Sequence, residues 1–131
     1  MKKLFITLAI VLSSTLAFAA GTNTFVKSSG GTIGATNAWT WTPDITGKAE
    51  IQSITVHFVE QSTNEDIRVY LDSELGATYD TVIATSDSVE QNDWFKEFTN
   101  LIIQKDDNIK LWIGTGSGKE NFSTTIRGEY K

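Results

Sequence analysis

The sequence predicts an all-β protein made of a single antiparallel β-sandwich with about seven or eight strands. Apolar residues alternate with other residues again and again, as where Ile54, Val56 and Phe58 are separated by Thr55 and His57. This period of two is typical of a strand with one buried face. Clusters of Asn, Asp, Gly and Ser separate the runs, and such clusters favour turns. No stretch carries the apolar period of an amphipathic helix.

The chain begins with the pattern of a secretory signal peptide over residues 1–19. Two lysines precede an apolar run over residues 4–12, and Ala17 and Ala19 supply the small residues of a cleavage site. The alternative, a transmembrane anchor, needs a longer apolar run to cross roughly 30 Å of hydrocarbon. We therefore expect a secreted protein that is periplasmic, cell-surface or extracellular, with no membrane span after the signal is cleaved.

Residues 20–38 differ in composition from the rest of the chain. They are rich in Gly, Ser, Thr, Asn and Ala, and the repeated glycines are incompatible with a stable helix. We predict a flexible or extended N-terminal arm that contains one short strand over residues 24–27. The β-sandwich domain is then expected to cover residues 39–131.

The strands of this domain are predicted from seven alternating or β-branched runs, with a break expected at Asn100. Pro43 marks a turn after the first of them. The runs cover residues 39–41, 54–59, 67–72, 80–85, 94–103, 109–113 and 122–130. Alternating runs argue against a parallel sheet that is buried on both faces. A jelly-roll or immunoglobulin-like sandwich is therefore expected.

Composition excludes several kinds of chemistry. The chain has no Cys and a single histidine, His57, so it cannot form disulfides or a zinc site of thiolates and imidazoles. The net charge of -5 disfavours nucleic acid as a partner, because that requires clustered Lys and Arg. No catalytic motif is present, and the sequence Gly114 to Gly118 fits a hairpin loop better than a phosphate loop. We expect no enzymatic activity and no cofactor.

Calcium is the one metal for which the sequence offers candidate ligands. Carboxylates cluster where turns are expected, and hard oxygen ligands suit Ca²⁺. The candidates are Asp66, Asp72, Asp106 and Asp107. The alternative is that these residues only form solvated turns, which Asp favours by itself.

Trp112 is the tryptophan that the pattern places on an outer face. It alternates with Ile109, Leu111 and Ile113, which are expected to face the core. An exposed Trp can stack on a sugar or dock against a partner. The alternative is that Trp112 packs across the outside of its own sheet.

The C-terminal run carries a family resemblance. Residues 122–130 alternate strictly, Tyr130 is penultimate, and Gly118 is the fourteenth residue counted from the C-terminus. This arrangement resembles the chaperone–usher pilin subunits, although the Cys pair frequent in that family is missing. The resemblance implies that the last strand, with Phe122, Ile126 and Tyr130, is recognised by a chaperone and then by a neighbouring subunit.

The same resemblance gives the N-terminal arm a role. Thr22, Thr24 and Val26 alternate in a segment that directly follows the predicted cleavage site. The resemblance implies that such an arm completes the sandwich of a neighbouring copy by donor-strand exchange. It therefore implies a homo-oligomer or polymer.

The middle of the chain is similar to small β-sandwich proteins of phages and environmental bacteria. The residues that carry this similarity are 71–73, 76–77, 79–83 and 107–109. It implies a virion or surface building block and indicates no active site.

These observations predict an exported, noncatalytic structural subunit that self-assembles at the cell surface or in an extracellular filament. Strand addition is the expected mechanism, because an open sheet edge offers main-chain hydrogen bonds to another chain. The alternative is a secreted carbohydrate-binding or adhesive module with a glycan as its partner.

Overall fold

The computed structural model describes residues 23–60, 65–73, 81–89, 92–114 and 120–131. In these ranges the chain forms strands and no helix, which confirms the all-β prediction. The eight strands are β1 (Thr24–Ile33), β2 (Trp39–Trp41), β3 (Ala49–Phe58), β4 (Glu65–Asp72), β5 (Thr81–Val89), β6 (Asp93–Ile103), β7 (Asn108–Ile113) and β8 (Glu120–Tyr130).

The strands form two antiparallel sheets of four strands each. The first sheet has the order β1-β8-β3-β6 and the second has the order β2-β7-β4-β5. Only β4 and β5 follow one another in the same sheet, and every other connection crosses between the sheets. This is the strand order of a jelly roll, so the first of the two predicted sandwich types is the one formed.

The core lies between the sheets and is built from the inward half of each alternating run. Ile54, Val56 and Phe58 of β3 are fully buried, whereas His57 between them is exposed. The inward residues of the other strands meet them, namely Ile67, Val69, Ile109, Leu111, Ile113, Phe122 and Ile126. The period of two in the sequence therefore corresponds directly to the two faces of each sheet.

The N-terminal segment departs from the predicted arm. The short strand expected at residues 24–27 extends through Ile33 and pairs with β8 along its whole length. The sandwich therefore begins at Thr24 and not at Trp39. Polar composition concealed this strand, because an edge strand with one solvated face needs only a few apolar residues to pack.

The first sheet is irregular where β3 meets β6. The register between these strands shifts after Ile51, where one residue of β3, Gln52, lies opposite three residues of β6, Phe98 to Asn100. On β6, Asn100 has a positive φ of 58°, a conformation that Asn tolerates better than most residues. The break predicted at Asn100 is thus a bulge, and bulges increase the local twist of a sheet.

We expect Ile126→Ala to lower the free energy of unfolding by about 3 kcal/mol, because it leaves a cavity in the centre of the core. Ile126 is fully buried on β8. The matched control is Ile102→Ala on β6, where the side chain is 42% exposed, and its effect should stay within about 0.5 kcal/mol. Urea unfolding followed by tryptophan fluorescence measures both variants. Equal losses would contradict the assignment of the two faces.

Candidate assembly edge

The edge of the first sheet is formed by the N-terminal strand lying against the C-terminal strand. The pairing is antiparallel and runs from Thr24 opposite Glu129 to Ile33 opposite Glu120. On its other side β8 pairs with β3, so β1 is the outermost strand. Without β1, the whole length of β8 would present an open row of backbone donors and acceptors.

Two apolar side chains hold β1 against the core. Phe25 is 8% exposed and Ile33 is 1% exposed, and they lie near opposite ends of the strand. The ring of Phe25 packs on that of Tyr130 with 4.8 Å between the centroids. Gly128 makes room for this contact, because a Cβ at Gly128 would lie 2.6 Å from Phe25 Cζ.

The outward side of β1 includes the residues expected to act in strand donation. Thr24 is exposed and Val26 is 60% exposed, so these two side chains do not fill the sandwich. The side chains of β1 that enter the sandwich are instead Phe25 and Ile33, which are out of phase with Thr24 and Val26 by one residue. The burial of Phe25 and Ile33 fixes the inward face, and a shift of one residue exchanges the two faces of a strand.

Ser28 forms a side-chain contact across this edge, between β1 and β8. Its Oγ lies 3.2 Å from Thr125 Oγ1 on the facing strand. Ser28 and Thr125 are also register partners. Their side chains are therefore neighbours across β1 and β8 on the outer face of the sheet.

The connection from β1 to the rest of the chain is short and solvated. Residues 35–38 are exposed, and Gly34 and Asn37 exchange two backbone hydrogen bonds of 3.4 and 3.3 Å. The chain then enters the second sheet at Trp39, whose ring packs edge-on against Phe122 at 4.8 Å. This connection links β1 to the rest of the domain, and its residues 35–38 bury no side chains of their own.

Hydrogen bonds and an ion pair fix the end of β8 to other parts of the domain. The Lys131 amide donates a hydrogen bond of 3.0 Å to the Lys48 carbonyl, whereas the Tyr130 amide donates one of 2.8 Å to the Asn23 carbonyl and so extends the pairing with β1 by one residue. Lys131 Nζ lies 2.7 Å from a carboxylate oxygen of Glu50. The side-chain hydrogen bond to Glu50 is the main reason that the pKa of Lys131 lies above its usual value. Of the two strands at this edge, β8 is therefore the better anchored.

The C-terminal residues expected to interact divide into two groups. Phe122 and Ile126 are buried in the core, and Tyr130 is half-buried beneath β1. These three residues face the side on which Phe25 packs. The remaining positions named from the sequence, Gly118, Thr22 and the signal peptide of residues 1–19, lie outside the described residues.

Trp112 lies on the outer face of the second sheet, as its alternation predicts. It is half-buried, and the guanidinium carbon of Arg68 lies 5.0 Å from the ring centroid. Gly114 lies beneath the ring, since a Cβ there would be 2.5 Å from the indole. One ring face thus packs on backbone and Arg68 interacts with the indole as a cation–π partner.

The carboxylates named as candidate calcium ligands are spread over two strands and a turn. Asp66 and Asp72 belong to β4, and Asp106 and Asp107 lie between β6 and β7. Asp107 accepts a hydrogen bond of 2.9 Å from the Gln104 amide, as expected for a turn. Among the residues that the structure describes, no group of three or more His, Asp or Glu side chains is arranged to hold a metal ion.

Three ionisable side chains have surroundings that the sequence pattern did not anticipate. Glu65 is fully buried and Glu120 is 7% exposed, each at the first residue of its strand. Alternation alone gives no signal for a buried carboxylate. Exposed His57 pairs with Asp93, with 2.7 Å between Nδ1 and Oδ1. This pair joins β3 to β6 at one end of the first sheet.

Comparisons with known proteins extend the description of the fold. Neither a family model nor a curated protein sequence matches the chain. A crystal structure of PirA superposes with a TM-score of 0.50 at 8% identity, covering 84% of this chain and 96% of that chain. At this identity the likeness concerns the fold.

Two other solved structures are similar at lower scores. The periplasmic inhibitor of g-type lysozyme PliG from Aeromonas hydrophila has a TM-score of 0.37 at 14% identity, covering 86% of this chain and 92% of its own. The disulfide-linked pili of Bacillus endospore appendages give a TM-score of 0.33 at 14% identity, covering 88% of this chain and 98% of that chain.

In the described ranges the chain contains no helix that could cross a membrane.

We expect Phe25→Ala to release β1 from the sheet while the rest of the sandwich stays folded. Loss of the buried ring costs about 3 kcal/mol, so hydrogen exchange of the β1 amides should accelerate by about two orders of magnitude. The neighbouring Val26→Ala serves as control, because Val26 is 60% exposed. Exchange measured by NMR that accelerates equally in both variants, or equally in β1 and β4, would contradict this account of the edge.

Proposed function

We propose that the protein is an exported, noncatalytic structural subunit that assembles with copies of itself by exchanging β1. In the isolated chain β1 covers its own β8. In the assembly, β1 of each copy lies on β8 of the next copy, with the same register and the same buried side chains. The result is an open series of subunits at the cell surface or in an extracellular filament.

The observation that supports this proposal is the full-length pairing of the N-terminal strand with the C-terminal strand at a sheet edge. All ten residues of β1 have partners on β8, while only Phe25 and Ile33 of this strand enter the core. Backbone pairing therefore provides most of the attachment. Pairing of this kind is independent of which copy supplies the strand.

The energetics of exchange follow from this equivalence. Every hydrogen bond and apolar contact of β1 that is lost within one chain is regained between two chains, so these contributions nearly cancel. What remains is the entropy of association and the rearrangement of residues 34–38, which are mainly exposed. Five extended residues can span about 17 Å. Concentration then decides between closed monomers and exchanged assemblies.

The direction of the exchange also favours a polymer. The donor is the first strand of a copy and the acceptor is its last strand, so each copy offers one of each. A contact between different surfaces of two copies leaves both ends of the assembly open. A series of such contacts extends without a fixed limit, provided that the rotation between successive copies does not close the series into a ring.

We expect a disulfide between β1 and β8 to abolish assembly. Ser28→Cys combined with Thr125→Cys places two thiols where the native hydroxyl oxygens are 3.2 Å apart, in a chain without other Cys. Oxidised as a dilute monomer, this variant should stay monomeric in sedimentation velocity at concentrations where the reduced form assembles. In mixed single variants, oxidation should link Ser28→Cys of one copy to Thr125→Cys of another.

The matched control joins two strands that stay together in the proposal. Thr55→Cys with Thr125→Cys links β3 to β8, whose residues 55 and 125 are register partners, and its oxidised form should assemble normally. Assembly of the oxidised Ser28–Thr125 variant to the same extent as its reduced form would contradict strand exchange. A complete absence of intermolecular disulfide in assembled mixtures of the single variants would also contradict it.

A further inference from the structure

The outer face of the first sheet contains a groove that the assembly mechanism does not use. Across β8, β3 and β6 one row consists of Arg127, Ser53 and Glu97, and the adjacent row consists of Thr125, Thr55 and Phe95. These side chains point away from the core, because Ile54 and Ile126 between the rows are fully buried. The small hydroxyl side chains of Ser53 and Thr55 thus lie on β3, next to the larger side chains of Glu97 and Phe95 on β6.

The groove results from the irregular pairing of β3 with β6. The bulge of β6 opposite Gln52, which includes Asn100 with its positive φ, twists the edge of the sheet away from its centre. The resulting depression encloses about 600 Å³ and is bounded by residues of three strands. The residues that line it include Gln52, Ser53, Thr55, Phe95, Glu97 and Arg127.

Phe95 provides an apolar wall for this groove. Its side chain is 56% exposed, whereas its register partner, Thr55, is a small polar residue. An exposed phenyl ring beside hydroxyl groups suits a ligand with one apolar face and polar edges. The C–H face of a pyranose ring has this character.

The charged groups of the groove balance one another. Arg127 and Glu97 flank Ser53 on neighbouring strands, so their backbones are roughly 10 Å apart. Arg127 only donates hydrogen bonds, Glu97 only accepts them, and Gln52 does both. A ligand bearing many hydroxyl groups can satisfy all three, whereas a polyanion would meet Glu97 unfavourably.

From this arrangement we propose that the groove binds a neutral saccharide, with a sugar ring stacked on Phe95 and its hydroxyl groups bound by Gln52, Glu97 and Arg127. The groove lies on the outer face of the sheet, whereas the outer edge of β6 points sideways in the plane of the sheet, so a peptide strand added at that edge would not fill the groove. The aromatic residue that stacks on the sugar in this proposal is Phe95, because Trp112 lies on the second sheet and has Arg68 as its cation–π partner. The protein would then combine assembly with adhesion.

The test is an NMR titration of the uniformly ¹⁵N-labelled protein at a concentration where it is monomeric. The probes are cellopentaose, laminaripentaose, maltopentaose and chitopentaose up to about 10 mM, which is sufficient for millimolar affinities. Pentagalacturonate serves as an acidic comparison. We expect saturable shifts with at least one neutral probe, confined to the amides of residues 52–55, 95–99 and 127.

Variants then assign the contacts. Phe95→Ala should weaken binding roughly tenfold through loss of stacking, and Arg127→Gln should weaken it by a similar factor. Ile102→Ala is the matched control, because Ile102 is an exposed apolar residue on the same strand. It should bind as the unmodified protein does. Thermal unfolding of all three variants checks that the fold is retained.

Three results would overturn the proposal. They are the absence of shifts with all four neutral probes, shifts that are unchanged by Phe95→Ala, and stronger binding of pentagalacturonate than of every neutral probe. Groove shifts that depend on protein concentration without any sugar would instead assign this face to a second copy. Because the titration uses the monomer, its outcome is independent of strand exchange.

Discussion

The antiparallel pairing of β1 with β8 is the constraint on which the rest of this structure depends. It joins the two ends of the domain, places the C-terminal strand inside the first sheet and leaves the N-terminal strand at the edge. A domain of this size without disulfides has a limited apolar core, so each paired edge contributes substantially to its stability. The same pairing is also the contact most easily supplied by another copy, since its energy is carried mainly by backbone groups.

In the proposed exchange, stability and assembly depend on the same residues in opposite ways. Phe25 against Tyr130, with Gly128 beneath the ring, keeps the strand on its own chain. Apart from its three apolar residues, the rest of β1 is polar or glycine and lies exposed or half-buried, so it adds little apolar burial to the attachment. The hydrogen bond of the Lys131 amide to Lys48 and the ion pair of Lys131 with Glu50 hold the end of β8 in place. In the proposed exchange, the strand that would move thus has few apolar anchors, and the strand that would receive it is held to the rest of its own sheet.

Much of the fold could be predicted from the sequence, because in a sandwich each strand buries every second residue. The alternation through Ile54, Val56 and Phe58, and the expected break at Asn100, both correspond to features of the structure. The register of the arm could not be predicted in this way. Thr24 and Val26 resemble a donor-strand pattern, but Phe25 and Ile33, eight residues apart, determine which face is buried. The groove beside Phe95 could not be predicted from the sequence either, because it depends on a bulge and is lined by residues of three strands.

The claim that β1 is shared between copies can be measured directly. Isotope-filtered NMR on assemblies refolded from equal amounts of ¹³C-labelled and unlabelled chains detects contacts between different copies only. The account predicts intermolecular contacts between the rings of Phe25 and Tyr130, which are 4.8 Å apart within the monomer. Assemblies in which the contacts of Phe25 with Tyr130 arise solely within one chain would contradict it.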